Sequence, residues 1–207
     1  MPLQNRVLPT GEIVVDPARG QFTGNRGCLH DDHKRLGRAR WKGRAWIICA
    51  LDYKGWQRQV MTPHSWTELF FLDEAVALAA GHRPCALCRR TAYNAYRGAW
   101  GGAPSAPEMD RALHQARLTP ERGQRRFRAV CADLPDGTFV RHDGRPHLIM
   151  AAQLHAYSPA GYVAALAIPA GEVEVMTPGP TVDVLRNGYR PLVALSLGVE
   201  MGPRPFA

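Results

Sequence analysis

The sequence predicts an α+β protein with a mixed N-terminal part and a smaller, mostly β C-terminal part. The first part carries a capped helix at 73–81 beside short apolar runs, whereas residues 127–207 alternate such runs with Asp-Gly turns. The chain has 207 residues, 45% hydrophobic and 21% charged, and can bury a core without disulfides. We therefore divide it into an N-terminal region that carries a Cys-x-x-Cys pair and a basic segment (1–106), a helical basic connector (107–126) and a β-rich region (127–207); one compact unit is the alternative.

The first elements are predicted strands separated by a long loop. Residues 11–16 form a short apolar run that ends at a proline. Residues 20–33 are too rich in glycine for a helix and too polar for a buried strand, so they predict a loop. The apolar runs 45–53 and 57–61 predict a hairpin, and 68–72 predicts another strand.

The helices are predicted from their caps and their periodicity. Asp73 is a typical N-cap residue, and Gly81 followed by Pro84 is typical of a helix end. Further helices are predicted, in chain order, at 89–100, 108–118 and 181–187.

The positive charge is concentrated in a basic segment, 19–44. Lys and Arg number 26 against 18 Asp and Glu, and the resulting net charge of +8 favours a polyanionic partner. Trp41 and Trp46 lie within or beside this segment, a pattern typical of phosphate neutralisation with base stacking. The same pattern fits a solvated loop whose tryptophans pack inward. The residues predicted to bind nucleic acid, with DNA favoured over RNA, are Arg26, Lys34, Arg35, Arg38, Arg40, Lys42 and Arg44.

A Cys-x-x-Cys pair gives the most specific chemical signal. Cys85 and Cys88 follow a Gly-His-Arg-Pro turn, and their spacing lets two thiolates reach one tetrahedral Zn²⁺. A redox pair is one alternative, although such pairs open a helix directly after a strand. Two ordinary buried thiols are the other alternative.

The remaining metal ligands have to come from elsewhere in the chain. Cys28 with His33 (or His30) would complete a Cys₃His site. Cys49 and Cys131 lie in apolar runs, and we interpret both as core residues.

The segment around the cysteine pair resembles the second half of the metal-binding domain of Ada-type DNA repair proteins. The matching parts are a strand at Leu69–Phe71, a helix at 73–80 and the residues Gly81, Arg83, Pro84, Cys85 and Cys88. This resemblance implies an Ada-like or treble-clef-like segment with zinc coordinated near a DNA backbone. The upstream cysteine pair of that family has no counterpart here. Over most of its length the chain also resembles bacterial proteins of unknown function, which imply no activity.

The run His30, Asp31, Asp32 and His33 is a candidate catalytic site. Neutral imidazoles and carboxylates together could hold a divalent metal that activates water, as in a nuclease- or glycosylase-like enzyme. A polar loop of this kind is more often simply solvated. No Gly-x-x-x-x-Gly-Lys or Gly-x-Gly-x-x-Gly pattern occurs, so nucleotide cofactors are not expected.

Location and function follow from these patterns as expectations. Residues 1–6 lack the apolar region of a secretion signal, and the longest apolar runs have only strand length, so no membrane span is predicted. An odd number of cysteines, five, fits a reducing cytoplasm. The sequence thus predicts a cytoplasmic, zinc-stabilised nucleic-acid-binding protein. A metal-dependent hydrolase and a structural or partner-binding protein are the alternatives.

Overall fold

The computed structural model describes residues 1–56 and 59–194, which form two sheets and four α-helices. The N-terminal strands are β1 (Gln4–Val7), β2 (Ile13–Val15), β3 (Phe22–Asn25), β4 (Ile47–Ala50), β5 (Leu69–Phe71) and β6 (Arg83–Pro84). The C-terminal strands are β7 (Phe127–Val130), β8 (Phe139–His142), β9 (Arg145–Met150), β10 (Gln153–Ser158), β11 (Gly161–Ala167) and β12 (Glu172–Val175). The helices are α1 (Glu74–Ala79), α2 (Arg90–Trp100), α3 (Ala106–Arg117) and α4 (Gly179–Arg186). Among the described residues, no helix has the length and apolar character needed to cross a membrane.

The N-terminal strands form a mixed sheet in the order β2-β1-β5-β3-β4-β6. β3 lies inside the sheet and is antiparallel to both β4 and β5. At one edge, β6 runs parallel to β4, with Ile47 opposite Arg83 and Ile48 opposite Pro84. Parallel strands need a long crossover, which here includes β5 and α1. As a result, the turn after Pro84 lies beside the end of β4.

The C-terminal strands form an antiparallel sheet in the order β11-β10-β9-β8-β12-β7. Asp143 and Gly144 join β8 to β9, with φ angles of +46° and +76°. A two-residue hairpin turn of this kind needs positive φ at both positions to match the twist of its strands. The mostly β character predicted for this part is therefore confirmed over the residues that the structure describes.

Helix α1 lies at the centre of the fold. All of its residues are buried, and its Glu-Ala-Val-Ala-Leu-Ala sequence lacks the polar face that a surface helix needs. The carboxylate of Asp73 caps it by accepting a hydrogen bond from the backbone N–H of Val76 at 2.9 Å. One hydrophobic cluster surrounds α1 and contains residues of both sheets, among them Phe71 and Phe139. The two sheets therefore share a core.

Two buried carboxylates at the start of α1 bind the C-terminal part of the chain. Asp73 accepts hydrogen bonds from the hydroxyl of Tyr162 at 2.8 Å and the backbone N–H of Ala194 at 3.0 Å. Glu74 accepts a hydrogen bond from the hydroxyl of Tyr189 at 2.6 Å. Burial raises the pKa of Asp73 to about 6, because the charged carboxylate is removed from water.

The predicted helices are confirmed, but two predictions in the N-terminal part were wrong. Part of the predicted loop, Phe22–Asn25, forms the inner strand β3. Close packing explains the glycine in this strand, because a Cβ at Gly24 would lie 2.1 Å from the carbonyl oxygen of Ile47. The second strand of the predicted hairpin, 57–61, is not formed in its described residues, where 60 and 61 lie in a turn. Residues 57 and 58 lie outside the described residues.

Candidate metal centre

Three cysteines converge at the edge of the first sheet. Cys49 lies in β4, and Cys85 and Cys88 lie in the turn after β6. The backbone N–H of Cys85 donates to the carbonyl oxygen of Ile48 at 2.9 Å, which extends the parallel pairing into the turn. The three Sγ atoms lie within 4.8 Å of one another. In the described part of the chain, these three side chains form the group that could hold a metal ion.

The sulfur arrangement fits a tetrahedral metal ion. In a tetrahedral site with metal–sulfur bonds of ~2.3 Å, the sulfurs lie ~3.8 Å apart. The three Sγ atoms, all within 4.8 Å of one another, are close to that spacing. The backbone N–H groups of Ala50 and Leu87 donate to the sulfurs of Cys88 and Cys85 respectively, each at 3.4 Å. Such bonds orient the ligands and favour their charged form. Three ligands leave one tetrahedral position open.

The pKa values of the three neighbouring thiols are shifted in opposite directions. The thiols of Cys49 and Cys88 donate to the sulfur of Cys85, and these bonds lower the pKa of Cys85. The hydrogen bonds of Cys49 to Cys85 and Cys88, together with burial, raise the pKa of the Cys49 thiol. Because the thiolate is the metal-binding form, binding of a cation would release protons from the cluster.

A cavity of about 290 Å³ opens beside the three sulfurs, and we call it the cysteine cavity. Side chains alternate between the faces of a sheet, so Thr23 and Asn25 of β3 share a face with Cys49 of β4. Aromatic side chains form much of the remaining wall: Tyr53, Trp56, Trp66 and Phe70. The cavity therefore suits a flat, largely apolar group placed next to the cysteines.

Glu68 brings a carboxylate into the wall of the cysteine cavity. It is only 5% exposed. Its Oε2 accepts a hydrogen bond from the backbone N–H of Met61 at 2.6 Å, whereas its Oε1 has no hydrogen-bond partner. Met61 itself has a φ of +55°, a left-handed conformation that costs about 1–2 kcal/mol. An unpaired buried oxygen and local strain together are typical of a functional site.

Cys28 and His33, which the sequence predicted as further ligands, do not belong to the metal-binding group in the described residues. The thiol of Cys28 instead donates to the carbonyl oxygen of His30 at 3.8 Å, and His33 is exposed. Cys49 lies beside the pair and is half-buried in the wall of the cysteine cavity, so its interpretation as a core residue was wrong. One signal was present in the sequence: Ile48 occupies the core face of β4, and alternation directs Cys49 to the other face.

The candidate catalytic run, His30 to His33, is held by local hydrogen bonds. Nδ1 of His30 lies 2.6 Å from the hydroxyl of Thr67. The carboxylate of Asp31 accepts hydrogen bonds from the backbone N–H groups of His33 and Arg35, both at 2.9 Å, and Asp32 is exposed. Among the residues that the structure describes, these four side chains do not converge on a metal-binding geometry.

The cations of the basic segment divide into an exposed set and a buried one. Arg26 is buried, with 2% exposure, and its guanidinium carbon lies 4.0 Å from the centre of the Trp46 ring. Arg26 therefore lies apart from the exposed cations of the basic segment and lines an internal cavity. Lys34 is half-buried, and the exposed cations are Arg19, Arg35, Arg38, Arg40, Lys42 and Arg44.

His82 is a buried, neutral histidine beside Arg26. Nε of Arg26 donates to Nε2 of His82 at 3.2 Å, which leaves the ring proton on Nδ1, 3.2 Å from the carbonyl oxygen of Ala77. Burial, and after it the charges of Arg26 and Arg117, holds the pKa of His82 well below its usual value.

We expect His82 to make the folded state less stable as the pH falls below about 6.5, where the unfolded chain takes up a proton that the folded protein does not. Each pH unit should remove up to about 1.4 kcal/mol from the free energy of unfolding. Urea denaturation at a series of pH values measures this slope. Because Asp73 acts in the opposite direction below pH 6, the comparison is made with a His82→Gln variant, which should lack the His82 contribution. Replacement of the exposed His64 by Gln should leave the slope unchanged, and equal slopes in all three proteins would contradict the expectation.

Comparison with known proteins adds no family to these observations. No protein-family model matches the chain, and no curated protein or solved structure matches it either. The chemistry of the site therefore has to be inferred from the cysteine cavity itself.

Proposed function

We propose that the protein is a zinc-dependent hydrolase that removes an amino group from a nucleobase in the cysteine cavity. One observation carries the proposal: three cysteines line the same cavity as Glu68, a buried residue with one carboxylate oxygen that has no hydrogen-bond partner. Zinc is the metal that a site of three thiolates favours. The likeness of the segment around Cys85 and Cys88 to Ada-type domains supports the same metal.

The number of ligands favours a catalytic site over a structural one. Structural zinc sites in proteins are closed by four protein ligands, whereas catalytic sites use three and keep one position open. In the described residues, Cys49, Cys85 and Cys88 have no fourth Cys, His, Asp or Glu ligand beside them. When bound, zinc would supply Lewis-acid activation of water at the open position.

Glu68 is the residue that we assign to proton transfer. Its Oε1 is buried without a hydrogen-bond partner, so we assign it as the acceptor of a proton from water that enters the cavity. As the water oxygen bonds to the ring carbon, Glu68 takes this proton. It then returns the proton to the leaving nitrogen as the C–N bond breaks. The second proton of the water passes from the new hydroxyl to the adjacent ring nitrogen, and ammonia and the ring carbonyl are the products. The Met61 N–H holds Oε2 at 2.6 Å and thus fixes the orientation of the carboxylate.

The substrate class follows from the shape and lining of the cavity. A nucleobase is flat, so it can stack on the aromatic rings that line the site while the amide of Asn25 meets its polar edge. Zinc deaminases that act on nucleobases bind the metal through one histidine and two cysteines or through three cysteines, with two of the ligands in a Pro-Cys-x-x-Cys sequence and a glutamate that is not a ligand. Pro84, Cys85 and Cys88 fit that sequence, whereas Cys49 and Glu68 come from separate segments. The likeness to these enzymes therefore lies in the metal ligands and the glutamate, and not in the order of these residues along the chain.

Nucleic acid is the partner that the exposed cations favour as the source of the base. Five exposed Lys and Arg side chains lie between residues 35 and 44. Cations in this density neutralise phosphates, and binding that depends on them falls steeply as salt is added. We propose DNA over RNA, as the Ada-type resemblance implies.

The test is release of ammonia by zinc-loaded protein from cytidine, deoxycytidine, adenosine and a single-stranded oligonucleotide. Glu68→Gln should retain the metal and lose roughly 10²–10⁴-fold in rate, because the carboxylate transfers the proton. Glu121→Gln changes an exposed carboxylate outside the cavity and should retain the rate. Zinc bound without release of ammonia from any of these substrates would leave a metal site and refute the hydrolase.

A further inference from the structure

A second cavity, lined by arginine and tryptophan, lies apart from the cysteine cavity. Its volume is about 310 Å³, and the two cavities share no lining residue. Arg26 directly follows β3 and Trp46 directly precedes β4, so alternation directs them away from the face that carries Asn25 and Ile47. The residues that give this arginine cavity its character are Arg26, Arg40, Trp41, Trp46, Arg117 and Arg122.

Arg26 is buried in the wall of the arginine cavity with one nitrogen unpaired. Its Nε donates to His82 at 3.2 Å and its Nη1 to the carbonyl oxygen of Gly11 at 2.9 Å. Its Nη2 has no hydrogen-bond partner, although the side chain is only 2% exposed. A buried guanidinium N–H group without an acceptor is costly, so a missing acceptor is indicated here.

Arg117 repeats this arrangement on the same tryptophan. Its guanidinium carbon lies 3.7 Å from the centre of the Trp46 ring, and the residue is 2% exposed. Its Nη1 and Nη2 donate to the carbonyl oxygens of Gly81 and Arg44 at 2.8 and 2.7 Å, whereas its Nε is unpaired. Gly81 permits this approach, because a Cβ there would lie 2.5 Å from the Arg117 side chain.

Neither buried arginine has an ionic partner within 4 Å among the described residues, whereas the neighbouring Arg83 forms a bidentate pair with Asp110. Asp110, which pairs with Arg83, is the nearby carboxylate that favours the charge of Arg117. Two buried cations without a direct ion-pair partner are unfavourable, and a bound anion would offset that cost. Burial lowers the pKa values of Arg26 and Arg117 to about 9, so both stay charged at neutral pH.

The other polar groups around the site lie at its edge. Glu12 also lines the arginine cavity, but it is exposed and accepts a hydrogen bond from the hydroxyl of Thr10 at 2.8 Å. Nδ1 of His114 lies 3.1 Å from Nη2 of Arg117, and its ring packs edge-on against Trp41. The deep end of the cavity is thus cationic.

The entrance carries an aromatic ring and further arginines. A neighbouring cavity of about 320 Å³ shares Arg40, Trp41 and Arg122 with the first and adds Arg38. Trp41 is half-buried, and the guanidinium carbon of Arg122 lies 5.9 Å from its ring centre. An aromatic ring beside cations is the arrangement on which proteins stack a base while binding its phosphate.

We propose that the arginine cavity binds the phosphate group of a nucleotide, with Arg26 and Arg117 on the phosphate and Trp41 against the base. Each arginine offers one unpaired guanidinium nitrogen, and phosphate oxygens accept several charge-assisted hydrogen bonds at once. A free nucleotide and the phosphorylated end of a nucleic acid offer this same chemistry. The site is separate from the cysteine cavity, so it stands whether or not the proposed hydrolase does.

Calorimetric titration of the full chain tests the site with 5′-AMP, adenosine and inorganic phosphate as probes. We expect 5′-AMP to bind at least roughly tenfold more tightly than adenosine, because the nucleoside lacks the charged group. Equal affinity for the two would overturn the proposal. A short oligonucleotide with and without a 5′-phosphate identifies the source: tighter binding of the phosphorylated strand than of 5′-AMP assigns the site to nucleic acid, and weaker binding assigns it to free nucleotides.

The variants must separate loss of the site from loss of the fold. Arg26→Gln removes a buried charge and should abolish 5′-AMP binding in a protein that still unfolds cooperatively. Arg40→Ala with Arg122→Ala changes two exposed side chains of the entrance, so the fold should persist while affinity falls roughly tenfold or more. Arg90→Ala with Arg111→Ala removes the same charge from exposed positions outside the cavity and should change affinity less than about twofold. Equal losses in the two double variants would show a non-specific charge effect and overturn the proposal.

Discussion

Replacing Cys49 by serine is expected to abolish metal binding as completely as replacing Cys85 does. The three sulfurs lie within 4.8 Å of one another, so each supplies a third of the protein ligands. A serine hydroxyl binds zinc poorly compared with a thiolate. The loss should exceed the roughly 10–100-fold that removal of an outer-shell partner causes. Elemental analysis of protein purified under reducing conditions, followed by titration with zinc, measures it.

Cys28→Ser is the matched control for this experiment. Cys28 is half-buried, as Cys49 is, and its thiol donates to the carbonyl oxygen of His30 rather than to another sulfur. We expect the Cys28→Ser protein to carry as much zinc as the wild type, about one ion per chain. If instead this variant loses the metal and Cys49→Ser keeps it, the ligand set is the one that the sequence predicted, and the cysteine cavity is not the metal site.

Replacing Glu74 by alanine is expected to lower the free energy of unfolding by about 3–5 kcal/mol, the cost of leaving a buried ion without its partner. Oε1 of Glu74 accepts from Nη1 of Arg89 at 2.7 Å and from the hydroxyl of Tyr189 at 2.6 Å, and Oε2 accepts from the backbone N–H of Leu192 at 3.0 Å. The change would strand Arg89, which is only 8% exposed, and release the segment after α4. Urea denaturation followed by tryptophan fluorescence measures the difference.

A second ion pair provides the contrast for Glu74. Arg128 and Glu172 pair at 3.0 Å, but their side chains are 66% and 54% exposed. Glu172→Ala should therefore cost no more than about 1 kcal/mol. If both alanine variants lose the same free energy, burial does not decide the contribution of these ion pairs, and Glu74 is not a central tie of the fold.

Local patterns in the sequence predicted much of the secondary structure. The cap at Asp73 and the end at Gly81 located α1, because capping depends on hydrogen bonds within a few residues. The Asp143-Gly144 turn located a hairpin for the same local reason. The α+β class is confirmed on these grounds. Strand β3 was missed because its glycine and polar residues serve contacts with neighbouring strands, which no local pattern reveals.

The sequence by itself determined the capped helix, the hairpin turn and the pair of thiols at Cys85 and Cys88, since each depends on residues close together in the chain. The tertiary structure alone decided the third sulfur, Cys49, because a parallel pairing between distant strands brings it to the pair. It also decided which arginines face water: Arg26 belongs to a basic segment in sequence, yet it is buried against Trp46 with Arg117 beside it. These side chains are positioned by contacts between segments far apart in the chain. The free energy of strand pairing and of burial, which depends on the whole fold, determines where they lie.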